Sequence, residues 1–207
     1  VVFTSYHNVN YYSDFLYTTF SDARHRQACT TSVMRQDTGK ITPATMMAAL
    51  RSHARSGGSL AAPLTGADVC AHAGFGPVRG SQSIGSLVSR LSADGDTHWL
   101  TGTSAPCTSI FKPVWLDSGL PDLGPAPKGT YAGAALFWQH ELLHREILRD
   151  YSTRIALLQP ERDALEARFL AQAPDPSSPA EVRAEYTRAC FAEASACERQ
   201  WLEKVRA

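Results

Sequence analysis

Residues 81–113 read SQSIGSLVSRLSADGDTHWLTGTSAPCTSIFKP, and this stretch decides the fold class. Apolar and small polar residues alternate on both sides of Asp94-Gly95, a dipeptide that favours a reversal between strands. Ile84, Leu87 and Val88 predict a strand over 83–91. The adjacency of Leu87 and Val88 suits a strand buried on both faces or one carrying a bulge. Thr97 to Thr101 continues as the return strand, and 108–115 gives a third run whose Pro113 belongs at a sheet edge.

Outward from this stretch, both flanks read as helical. In residues 1–58, Ser21-Asp22 can cap a helix running through Arg35, and Asp37-Thr38-Gly39 ends it. Thr42-Pro43 opens a second helix, with Thr42 as N-cap and Pro43 at the first helical position, where its missing N–H costs nothing. Met46, Met47 and Leu50 supply its apolar face, and Gly57-Gly58 stops it. Strands occupy 67–115, where Val69 to Ala73 is a further short apolar run.

Residues 131–207 return to helical periodicity after a Pro/Gly loop over 119–129. Leu136, Leu143, Ile147, Tyr151, Ile155 and Leu158 fall at helical spacing, and Pro160 is expected to kink or split that helix. Ser178-Pro179-Ala180-Glu181 reads as a capping box opening a last helix. Its stripe is Val182, Tyr186, Cys190, Ala194, Cys197, Trp201 and Val205. Helices, then strands, then helices predict an α+β layered domain rather than a doubly wound one.

Twenty basic and twenty acidic residues cancel in a chain of 207, and no basic stripe interrupts the balance. A nucleic-acid partner is therefore not expected. No apolar run approaches the length that spans a bilayer, so no membrane partner is expected either. Five cysteines, an odd number with no C-x-x-C spacing, argue against a disulfide framework or a zinc knuckle and for a reducing, cytoplasmic setting.

Three clusters carry candidate chemistry. His140-Glu141-Leu142-Leu143-His144 is an H-E-x-x-H pattern, which on a helix sets two imidazoles one turn apart for zinc, with Glu141 as base toward bound water. The charged Arg145-Glu146 that follows, and the lack of an evident third ligand, favour surface histidines instead. His72, Arg79, Ser81, Gln82 and Ser83 gather donors and a cation where a strand begins, and Arg79 could hold a substrate carboxylate bidentately. Cys107 stands in a polar loop setting with His98 on the facing strand. With no acid to orient that pair, it reads as a small buried thiol.

Several blocks together resemble the secernin family and its dipeptidase relatives. They are Gly39-Lys40-Ile41-Thr42-Pro43 with Met46-Met47 and Leu50-Arg51; His72-Ala73-Gly74 with Arg79; residues 81–88; Thr101-Gly102-Thr103; Ser109-Ile110-Phe111-Lys112-Pro113; and Phe137-Trp138-Gln139-His140-Glu141. The resemblance implies part of an αββα sandwich of the N-terminal-nucleophile (Ntn) hydrolase type. It also implies hydrolysis of small peptides by an N-terminal cysteine whose own α-amine is the base. The chain opens Val1-Val2-Phe3, so the resemblance puts the nucleophile in a missing N-terminal half. No catalytic residue is then expected in this chain. The substrate-binding wall would be His72, Arg79, Ser81, Gln82 and Ser83, and no cofactor or metal is implied. The expected partners are a small peptide, the missing half and further copies of the chain. The competing readings are a zinc peptidase on His140, Glu141 and His144, and a non-catalytic helical module docking through the last helix.

Overall fold

The computed structural model describes residues 22–53, 68–73 and 81–207. Among them are five helices and one three-stranded sheet, an α+β arrangement as the sequence predicts. The elements are α1 (Ala23–Gln36), α2 (Pro43–Leu50), β1 (Leu87–Arg90), β2 (Thr97–Leu100), β3 (Lys112–Val114), α3 (Leu136–Arg149), α4 (Tyr151–Ala171) and α5 (Ala180–Arg206). Arg79 and Gly57-Gly58 lie outside the described residues.

The sheet is antiparallel in the order β1-β2-β3. Val88 pairs with Trp99 and Trp99 with Pro113, so these share one face. That face buries Val88 and Trp99 with Met47 of α2 and Phe111, with Leu170 of α4 packed against them. Pro113 sits on an edge strand, where its missing N–H breaks no ladder. The β1–β2 connection is a six-residue loop rather than a two-residue turn. Gly95 supplies its left-handed step (φ 124°), and Ser92 Oγ donates to the Gly95 carbonyl at 2.7 Å. A Cβ at Gly95 would come within 2.9 Å of Pro176.

α2 carries the cap expected of it. Thr42 Oγ1 accepts from the Thr45 N–H and Thr45 Oγ1 accepts from the Thr42 N–H, a capping box with threonine in the place of glutamate. Four helix boundaries differ from expectation. α2 ends at Leu50 with Arg51 at its C-cap, short of Gly57-Gly58. Asp22 sits at the start of α1 but in a left-handed conformation (φ 52°) with no side-chain cap. α5 has Pro179, not Ser178, at its N-cap and no side-chain cap. The long helical run breaks at Asp150 (φ −150°, ψ 77°), whereas Pro160 lies inside one continuous α4.

The main core joins Leu143 and Ile147 of α3 to Leu158, Leu165 and Phe169 of α4 and to Cys190, Ala194, Trp201 and Val205 of α5, with Ile110 inserted among them. Val182, placed on the apolar stripe of α5 by the sequence, is instead 48% exposed. The buried face of α5 is rotated to take in Arg183, Thr187 and Glu198. At the centre runs residues 101–115, buried throughout except for Gly102. So much buried backbone and so many buried hydroxyls require partners inside the protein, and these partners build the site.

Candidate functional site

Two polar clusters meet on the 101–115 span. The first serves its hydroxyls. His140 of α3, fully buried, places Nε2 2.9 Å from the Ser104 carbonyl and 3.1 Å from Ser109 Oγ. Its Nδ1 lies 2.9 Å from Glu198 Oε1 of α5. His144, one turn on, sets Nδ1 2.9 Å from Thr108 Oγ1. Burial, with the neighbouring His140 and His72, pushes the His144 imidazole down to about 4, so it is neutral at physiological pH. Both histidines are 0% exposed, which corrects the expectation that they lie on the surface. Through His140 Nε2 at the Ser104 carbonyl and His144 Nδ1 at Thr108 Oγ1, the H-E-x-x-H pair ties α3 to the buried 101–115 span.

Glu141, between them, points the other way. Its carboxylate accepts from Arg145 Nε at 2.8 Å and faces the Gln82 amide at 3.4 Å, while Gln82 also donates to Ser104 Oγ at 3.1 Å. Burial would raise the Glu141 carboxyl, but hydrogen bonds from Ser104 and Arg145 hold it below its ordinary value. These residues floor an open groove of about 660 Å³ lined by Ser81, Gln82, Ile84, Glu141, Arg145 and Arg149.

The second cluster lies behind the first. His53 follows α2, Cys70 and His72 stand on the 68–73 segment, and Cys107 comes from the central span. One ligand atom from each falls within 4.8 Å of all the others. His72 Nε2 is 3.0 Å from His53 Nε2, 3.4 Å from Cys70 Sγ and 3.4 Å from Cys107 Sγ. Tyr151, the first residue of α4, sets its hydroxyl 3.3 Å from His53 Nδ1, and the His72 ring stacks on His144 at 5.4 Å. Burial alone would raise both thiols. Hydrogen bonds from Cys70, His53 and His72 override it at Cys107, which is held well below the ordinary thiol value, whereas Cys70 is pushed up. Ala105, two residues before Cys107, adopts φ 51°, a left-handed conformation that a non-glycine residue enters only when its surroundings impose it.

The predicted wall residues thus separate. Ser81 and Gln82 line the groove. Ser83 is a tie: its N–H donates to the Ala71 carbonyl at 2.9 Å, its Oγ accepts from the Ala71 N–H, and its carbonyl accepts from Ala105. His72, 4% exposed, belongs to the sulfur–imidazole cluster. Sequence reading missed His53, Cys70 and Tyr151 there, because the four cluster residues span more than fifty positions. Cys70-x-His72 was the only local signal. No protein-family model, curated protein or solved structure matches the chain.

Proposed function

We propose that this chain is the C-terminal part of a cysteine-type amidohydrolase of the N-terminal-nucleophile kind, built on an αββα sandwich and cleaving small peptides, with the attacking thiol supplied from outside these residues. The supporting observation is the groove over Gln82 and Glu141. It is lined by the Glu141 carboxylate, paired with Arg145 at 2.8 Å, and by Arg149, whose guanidinium pairs with Glu146 at 3.0 Å. A zwitterionic dipeptide carries the complementary ammonium and carboxylate, so Glu141 takes the amine end and Arg145 or Arg149 the acid end. Cys107 does not line this groove; it is packed among His53, Cys70 and His72. The reading implies a cytoplasmic enzyme, and the resemblance of the 81–113 blocks to dipeptidase-like secernins is consistent with it.

The test is dipeptide hydrolysis by the full-length protein. Brief alkylation abolishes activity. Arg145→Ala, whose side chain is 68% exposed, raises KM about tenfold with kcat little changed, because it removes binding rather than chemistry. Glu141→Gln has the same signature for the amine end. Hydrolysis of no dipeptide, or a loss confined to kcat, would sink this assignment.

A further inference from the structure

We propose that His53, Cys70, His72 and Cys107 form a closed, tetrahedral site for one zinc ion. The decisive observation is the crowding at one atom. His72 Nε2 faces His53 Nε2, Cys70 Sγ and Cys107 Sγ at 3.0, 3.4 and 3.4 Å. A ring nitrogen offers either one lone pair or one N–H, so these three partners compete for it, and all four ligand atoms lie within 4.8 Å of one another. A cation at the centre of the four resolves the conflict, since every lone pair then points inward.

The dimensions agree. With Zn–N near 2.05 Å and Zn–S near 2.3 Å, a tetrahedron has edges of about 3.3 Å between nitrogens and about 3.6 Å between nitrogen and sulfur. The three observed separations lie within about 0.4 Å of those edges. Two thiolates and two imidazoles are a borderline-soft set that suits zinc rather than magnesium or calcium, and two thiolates neutralise the ion in a buried place. Tyr151 completes the arrangement: its hydroxyl, 3.3 Å from His53 Nδ1, accepts the proton there and fixes the tautomer that turns Nε2 inward.

Four protein ligands leave no open position, so the ion is structural. It ties the end of α2 to the 68–73 segment and the central span. The Ala71–Ser83 backbone pairing and the Ala105–Ser83 hydrogen bond carry that tie to the segment around Gln82 that leads into β1 and floors the groove. This site is independent of the peptidase reading, and its test needs no activity.

The chain is produced with zinc, purified under a non-thiol reductant and analysed for metal. About one zinc per chain is expected. Cobalt added to the stripped chain gives the visible bands of a tetrahedral ion and a near-ultraviolet thiolate charge-transfer band. Cys107→Ser and His53→Ala each lose the metal, Cys29→Ser keeps it, and Tyr151→Phe binds zinc about tenfold more weakly in competition with a chromophoric chelator. Should the ligand variants not fold, the wild-type zinc content and cobalt spectrum decide alone. A wild-type chain with substoichiometric zinc and no cobalt–thiolate band overturns the proposal. So does zinc that survives Cys107→Ser but is lost with His140→Ala, which would move the metal to α3.

Discussion

Glu166 holds three donors at once. Its Oε2 accepts from Arg51 Nη1 at 2.7 Å, and its Oε1 accepts from Arg51 Nη2 and from the Phe111 N–H at 2.7 Å. Both side chains are largely withdrawn from water, so removing one strands the other. Glu166→Ala is expected to cost about 3–5 kcal/mol, read as a lower urea midpoint at unchanged m-value. A change within about 0.5 kcal/mol would mean that water replaces the pair. Glu198 makes a pH-dependent contribution. Burial alone would raise its carboxyl; the charges of His140, Lys112 and Arg199, with the His140 hydrogen bond, bring it below the ordinary value. The unfolded chain therefore takes up this proton at higher pH than the folded one. The stabilisation is complete above the unfolded value of about 4.3 and is lost as pH falls through the folded one. Glu198→Gln should flatten the acid limb of stability against pH, measured by urea midpoints between about pH 3 and 6. An unaltered acid limb would assign it to other carboxylates.

At the scale of elements, α4 is the informative case. Pro160 is exposed in the interior of a helix continuous over Tyr151–Ala171. Its ring removes a backbone donor and presses on the preceding turn, yet Leu158 and Leu165 on either side are buried in the main core. Packing on both sides outweighs the local cost, so the helix bridges the proline. Pro160→Ala is expected to stabilise by about 1 kcal/mol or more, raising Tm by roughly 2–4 °C per kcal/mol. A lower Tm would show that the core requires the bend. The break between α3 and α4 falls at Asp150 instead, where no strong breaker stands in the sequence. It puts Tyr151 at the start of α4, within reach of His53.

For the molecule as a whole, the uncovered part of the sheet matters most. Leu87 pairs with Leu100, on the side opposite Val88 and Trp99. Leu87 is 60% exposed, and Ile84 and Leu91 beside it are 65% and 71% exposed. One large apolar side chain on the edge strand and two on the segments flanking it favour association with a covering layer, as half of a sandwich would require. In isolation the chain should self-associate, its weight-average mass rising with concentration in sedimentation, while Leu87→Lys stays near 22.5 kDa. A wild-type chain that remains monomeric would remove this argument for a missing layer. Among the described residues no helix is long and apolar enough to cross a membrane.

Local chemistry determined much of this by itself. The Thr42 cap, the Gly95 turn, the edge position of Pro113 and the α+β order follow from propensities and periodicities that act within a few residues. Ser81 and Gln82 line the groove from the segment before β1, which begins only at Leu87. Tertiary structure alone decided the rest. Whether His140 and His144 met solvent or a buried loop depended on where the 101–115 span ran, and that span is polar in sequence yet central in the fold. Likewise, His53, Cys70, His72 and Cys107 become neighbours only when three separate segments pack together, because ligand geometry is a property of distances in space and leaves no period along the chain.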